Sequence, residues 1–212
     1  HYFQEKLQSI YEIDVEHHVH DFLITDRKLA DFLSQTDRLR DNDERLLIAE
    51  YDGGLDLSLY IDEEVINHMD NAHPVELIEQ GKYSEFCLML EGVSHFVYLI
   101  WRAKHQKKIT LLEMELQAEI DKFILLQSFY DADRTNNEFI RSWLFERHEF
   151  DALLNAEELE RYECANHYAG KYCMGLQQQY SLSGLNNALL NELRRFYRLG
   201  QEQKFRYINS LH

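Results

Sequence analysis

Apolar residues recur at helical spacing over most of this chain, and the one place where the period changes is the most diagnostic. Over residues 2–35 they fall three or four apart: Phe3, Leu7, Ile10 and Tyr11, then Val15, Val19, Phe22 and Leu23, then Leu29, Phe32 and Leu33. That spacing stacks side chains on one helical face. Asp14 and either Thr25 or Asp26 are suited to cap successive helices, so three short helices is the simplest parse. Residues 11–19 also alternate in part with period two, which leaves a strand open there.

After a charged, turn-rich run over 36–44, the period changes. Leu55, Leu57, Leu59 and Ile61 alternate with Asp56, Ser58, Tyr60 and Asp62, and Asp52, Gly53 and Gly54 join them to the run 45–51. Asp-Gly and Gly-Gly supply the positive φ angles of a two-residue turn, so an antiparallel β-hairpin is expected near residues 45–62. Two strands alone are marginal in water. The hairpin must therefore lie on helices, find a third strand or pair its edge with another chain.

Helical spacing then resumes. A helix is expected over 63–71, Pro74 suits the first turn of the next, and Gly81 ends it. A long pair follows over 84–104 and 110–130, the second opened by a Thr110–Glu113 capping box. Helices over 136–150, 155–179, 185–199 and 202–211 close the chain, the second of these boxed by Asn155 and Glu158 and the last two separated by Gly200. Ala165, Ala169 and Cys173 recur every fourth residue, small side chains that let a neighbouring helix come close. The fold class expected is mainly α (α+β): a multi-helix bundle with one inserted hairpin. The chain reads as a single domain over 1–212, with acidic N-terminal helices and the hairpin in 1–80 and a helical bundle in 81–212.

Composition supports this and narrows the function. A single proline and eight glycines leave little room for long loops, and 45% hydrophobic residues over 212 positions are enough for a sizeable core. The net charge of −16 is concentrated in residues 1–80, which carry −14. Such a front repels phosphate backbones and anionic bilayers, so neither nucleic acid nor membrane is an expected partner; the acidic surface reads first as a solvated face, with a surface for a basic protein as the alternative. The run 86–101 is interrupted by Glu91, Gly92, Ser94 and His95, which makes it too short and too polar to span a bilayer. No leader pattern opens the sequence. Cys87, Cys164 and Cys173 show no metal-binding spacing and read as core thiols in a reducing compartment, so a cytoplasmic location is expected.

Chemistry is concentrated in the long helical pair. At about 100° per residue, Glu91, His95, Tyr98 and Arg102 share one face of the first helix, and Glu115, Glu119 and Lys122 share one face of the second. An antiparallel hairpin centred on Lys107 sets His95 opposite Glu119 and Glu91 opposite Lys122, with Arg102 within one turn of Glu115. The simpler reading is an inert ion-pair network that fixes register. The functional readings are a polar ligand pocket, an acid/base pair of His95 and Glu119, or a metal held by Glu91, His95, Glu115 and Glu119. Against a metal, no Glu-x-x-His spacing is present, and Lys122 and Arg102 bring positive charge to the place of the cation.

Other candidates are weaker. On a helix Glu16 with His20, and His17 with Asp21, share a face at i, i+4 and could chelate a divalent ion, although such pairs are usually surface ion pairs. Ser94 and His95 point about 100° apart on a helix and do not make a nucleophile and base. Glycine-rich phosphate loops are absent. Basic and aromatic residues interleave over 194–207, a pattern that fits a closing helix pair better than a nucleic-acid platform. No cofactor is expected. The function expected is a non-enzymatic interaction or regulatory protein, a homodimer through the hairpin edge or an apolar helical face. The alternative is a bundle enzyme or a small-ligand or metal-binding protein with its site between 84–104 and 110–130.

Overall fold

The central element is a helix buried on all sides. In the computed structural model, which describes residues 1–34, 44–51, 54–70, 74–129, 134–147, 154–180 and 185–211, α6 (Leu111–Phe129) is buried at every residue from 113 to 127. Its neighbours are α5 (Tyr83–Lys104), which runs antiparallel to it, α8 (Ala156–Gln179) and α7 (Arg134–Phe145). The small residues Ala165, Ala169 and Cys173 of α8 are fully buried, and α8 packs along α6. The remaining helices are α1 (Tyr2–Tyr11), α2 (Arg27–Leu33), α3 (Glu63–Asp70), α4 (Pro74–Glu79), α9 (Asn187–Tyr197) and α10 (Gln201–Asn209). One hydrophobic cluster runs through the chain from Phe3 to Ile208. No helix among the described residues is long and apolar enough to cross a membrane.

The fold is mainly helical with a small mixed sheet, which extends the expected antiparallel hairpin by one parallel strand. Strands β2 (Glu44–Tyr51) and β3 (Gly54–Ile61) pair antiparallel, but β1 (Leu23–Ile24) lies parallel to β3, with Leu23 opposite Leu59 and Ile24 opposite Tyr60. The order β1-β3-β2 makes β3 central and leaves β2 at an edge. The hairpin thus gains a third strand and also rests on α5, which answers the marginal stability of two strands. The turn residues 52 and 53 lie outside the described residues.

The middle of the three expected N-terminal helices is replaced by irregular chain, and local hydrogen bonds explain why. Glu12 ends α1 in the left-handed conformation, φ 51°. The glutamines of α1 then supply the partners that a helix would have supplied: Gln8 Oε1 accepts from Val15 N–H, and the Gln4 amide accepts from Val19 N–H and donates to the His17 carbonyl. Asp14 therefore caps nothing, whereas Asp26 accepts from the Lys28 and Leu29 amides at the start of α2. Residues Val19–Phe22 form a 3-10 turn.

Boundaries elsewhere shift by a few residues. Helix α7 ends at Phe145, short of the expected 150, and α9 starts behind Asn186, whose side chain accepts from Leu189 N–H. The Asn155–Glu158 box is complete, but Thr110 gives only half of one: Glu113 N–H donates to Thr110 Oγ1, while the Glu113 carboxylate is used elsewhere. Arg194 of α9 and Arg198 at its C-terminal end close the structure by capping α1. Arg194 Nε donates to the Ile10 carbonyl at 3.0 Å, and Arg198 donates to those of Tyr11 and Glu12 at 3.1 and 3.2 Å. Cations on the last carbonyls of a helix are favourable. Next to them the Tyr11 and Tyr197 rings stack at 3.9 Å.

Candidate functional site

Helix α6 carries two polar stripes, not one. Glu115, Glu119 and Lys122 form the expected stripe, and Glu113, Gln117 and Asp121, four residues apart, form a second on the opposite side of the same buried rod. Each stripe meets a different set of partners. Consequently Glu91 and His95 of α5 belong to one cluster, and Tyr98 and Arg102 belong to another.

The first cluster is built by four elements. Lys122 Nζ lies 3.0 Å from Glu91 Oε2, the pairing expected from the helical hairpin, and 2.6 Å from Glu119 Oε1 one turn away on α6. Because Lys122 takes Glu119 in this way, His95 is not opposite Glu119. Its Nε2 lies 3.3 Å from Glu115 Oε2, and its Nδ1 lies 3.6 Å from Glu44 Oε1, at the first residue of β2. Arg161 of α8 reaches Glu115 Oε1 at 3.9 Å. Gly92 permits the approach of β2, since a Cβ there would come within 3.0 Å of Glu44 Cγ and Leu59 Cδ1.

Electrostatics follow from burial. Burial alone would push the His95 imidazole down, but the Glu115 and Glu44 carboxylates outweigh it and hold the ring well above its usual range. Burial raises the Glu44 carboxyl even though His95 pulls it the other way, with Glu91 and Glu115 adding to the rise. Lys122 is held well above its usual range because Glu119 and Glu91 overcome its desolvation.

This cluster opens to solvent. A cavity of about 470 Å³ lies between α2, β2, α6 and α8. Its lining includes the polar residues Glu44, Arg45, His95, Glu115, Glu158 and Tyr162 and the apolar residues Leu33, Leu46, Ile48 and Met114. On this lining His95 Nε2, Glu44 Oε1 and two guanidinium nitrogens of Arg45 are buried and have no hydrogen-bond partner among the described residues. His95 is only 5% exposed. A charged pair held short of hydrogen-bond geometry in a low dielectric is costly unless something else completes it.

The second cluster is closed, and apart from Arg102 Nε its buried polar atoms are hydrogen-bonded. Tyr98 donates to Glu113 at 2.6 Å, and Lys204 Nζ, from α10, donates to Tyr98 Oη at 2.9 Å and to Gln117 Oε1 at 2.8 Å. The Gln117 amide donates to Asp121 and Tyr11, and Tyr11 and Ser94 donate to Asp121. Arg102 joins at the near end, where it donates to the Lys108 carbonyl at 2.6 Å and lies 3.3 Å from Glu113. Held in the turn by that carbonyl, it is level with Glu113 and does not reach Glu115. Burial lowers Lys204 to about 7 and raises Asp121 to about 6.

The weaker metal candidates do not converge. Residues Val19–Phe22 are a 3-10 turn, so the i, i+4 spacing of Glu16 with His20 and of His17 with Asp21 no longer places them together. Glu16 pairs with Lys104 at 2.9 Å, His17 packs on the edge of Phe22, and His20 meets the His1 amino group at 3.2 Å. The group of possible metal ligands found among the described residues is Glu44, Glu91 and His95, whose ligand atoms lie within 4.8 Å of one another.

Comparison of the chain with protein-family models, with curated proteins and with solved structures found no match. Function is therefore inferred from the site itself.

Proposed function

We propose that this chain is a small-ligand-binding protein whose cavity takes a molecule with an apolar body and a cationic head. The observation that carries this reading is the pair of unpartnered buried atoms, His95 Nε2 and Glu44 Oε1, on residues that line a cavity of mixed polar and apolar character. Charge supports the sign of the head. Among the described residues the carboxylates of Glu44, Glu91, Glu115 and Glu119 outnumber the cations set against them, Lys122, Arg161 and the protonated His95, while Arg45 is matched by Asp31 at 2.7 Å. The body would lie along Leu46, Ile48 and Met114, the mix of apolar wall and few polar groups usual for ligand pockets.

The test uses octylammonium and octanoate, which share a body and differ in head. Octylammonium raises the melting temperature of the chain progressively as its concentration increases and octanoate does not. Glu44→Gln and Glu115→Gln weaken the effect. Equal shifts from both probes, or none, would contradict the reading.

A second reading, an interaction protein that pairs with its own copy, is favoured by a different observation. On α2 and β2, Leu29, Phe32, Leu33, Ile48 and Tyr51 are exposed, Phe32 to 79%, beside the edge strand β2. Apolar side chains along an open strand edge suit pairing with a second chain. The free thiols Cys87, Cys164 and Cys173 support a reducing compartment such as the cytoplasm for either reading.

A further inference from the structure

We propose that Glu44, Glu91 and His95 Nδ1 are a binding site for a first-row divalent metal ion, with Glu115 bonded to the other ring nitrogen of His95. The inference deepens the cation-accepting site above and rests on that reading.

Three observations carry it. The first is spacing. Glu44 Oε1 and His95 Nδ1 are 3.6 Å apart, too far for a hydrogen bond. Two ligands at about 2.1 Å from one ion, subtending roughly 120°, are separated by that distance. All three ligand atoms lie within 4.8 Å of one another, so small side-chain rotations close the set. The second is the outer contact. A metal-bound imidazole ordinarily gives its other N–H to a carboxylate, which fixes the ring and its tautomer. Glu115 Oε2, 3.3 Å from Nε2, is placed to receive that proton. The third is the sign of the charge. Among the described residues the four carboxylates of Glu44, Glu91, Glu115 and Glu119 meet two fixed cations, Lys122, shared by Glu119 at 2.6 Å and Glu91 at 3.0 Å, and Arg161, 3.9 Å from Glu115, so a carboxylate-rich set receives the ion once the His95 imidazole is neutral.

Imidazole with two carboxylates suits zinc, manganese or ferrous iron better than calcium or magnesium. Three protein ligands leave at least one coordination position. Glu44 and His95 line the cavity, so that position faces the space where a ligand would lie. Gly92 lets Glu44 reach its place, because any side chain there would meet the Glu44 carboxylate.

The test is calorimetric titration of the chain with Zn2+ in a buffer that does not chelate, alongside Glu44→Gln, His95→Ala, Glu115→Gln and a His18→Ala/His20→Ala double variant that removes the surface histidines. One site per chain is expected. Its affinity falls at least about 100-fold in the first two variants and about 10-fold in Glu115→Gln, and it is unchanged in the double variant. Zn2+ binding that survives Glu44→Gln and disappears with the surface histidines overturns the inference, as does no binding at all. If octylammonium still stabilises the chain in that case, the cation-accepting cavity stands and only the metal fails. Should a variant not fold, Co2+ bound to the unmutated chain decides: visible absorption without a thiolate band fits these ligands, and a thiolate band puts the metal on a cysteine and overturns the assignment.

Discussion

The Glu44 carboxylate occupies the space that a side chain at Gly92 would need: a Cβ built there lies 3.0 Å from Glu44 Cγ and 3.1 Å from Glu44 Oε1. A glycine in mid-helix costs about 1 kcal/mol relative to alanine, and here it admits the first residue of β2 to the face of α5. Gly92→Ala is expected to keep stability within about 1 kcal/mol, since the gain in helix propensity offsets the clash. It should nonetheless weaken octylammonium binding at least fivefold. Denaturant unfolding and the probe titration check the two halves, and unchanged binding would remove Glu44 from the site.

The Lys122 pairs and the Glu44 position should respond differently to substitution. Lys122→Met leaves Glu91 and Glu119 without their cation in a buried place, which should cost about 3 kcal/mol. Glu44→Gln should leave stability unchanged or higher at pH 7, because burial already disfavours the charged carboxylate. A residue kept for binding at the expense of stability behaves in this way. Chemical denaturation of the two variants separates them, and a loss of several kcal/mol in Glu44→Gln would instead make the whole cluster structural.

The closed cluster has a pH signature of its own. Lys204, lowered to about 7 from its ordinary 10.5, binds fewer protons in the folded than in the unfolded chain across that window, so its contribution to stability rises as pH goes from 7 to 10. Asp121, raised to about 6 from 3.8, does the opposite, and its contribution falls as pH goes from 4 to 6. The combined contribution of these two groups should therefore pass through a minimum between about pH 6 and 7. Lys204→Met removes the rising limb and Asp121→Asn the falling one. Urea unfolding over pH 4–10 measures both, and a curve for Lys204→Met parallel to that of the unmutated chain above pH 7 would contradict the assignment.

Self-association has a simple readout. At high micromolar concentration sedimentation equilibrium is expected to give a mass of two 25.5 kDa chains. Phe32→Asp, at an exposed position on α2, should return it to one. A single-chain mass for the unmutated protein would dismiss the pairing of copies through this face.

Much of the helical order was legible because α5, α6 and α8 carry strong period and boundary signals such as Asn155 with Glu158. What was not legible depends on contacts far apart in sequence. The irregular stretch after α1 follows from Gln4 and Gln8 reaching forward to backbone groups, which no periodicity shows. The third strand, β1, is two residues long and takes its place from β3. At the site, Glu91, His95 and Glu115 were visible as ionisable groups among apolar neighbours, but Glu44 comes from a strand and Arg161 from α8. Glu113, Gln117 and Asp121 did carry a signal, polar residues every fourth position of an apolar helix, although Lys204 and Tyr11, which complete that cluster, lie about ninety residues beyond it and a hundred before.

The most direct measurement is the protonation of His95, followed by NMR of the 15N-labelled imidazoles and assigned with His95→Ala. In the free chain the ring is expected to remain protonated above its ordinary range, held there by Glu115 and Glu44. Saturating octylammonium should then lower its pKa, because a cation that reaches the same carboxylates competes with the proton. A His95 that titrates in its ordinary range and does not respond to the probe would show that these carboxylates do not form a cation-accepting site.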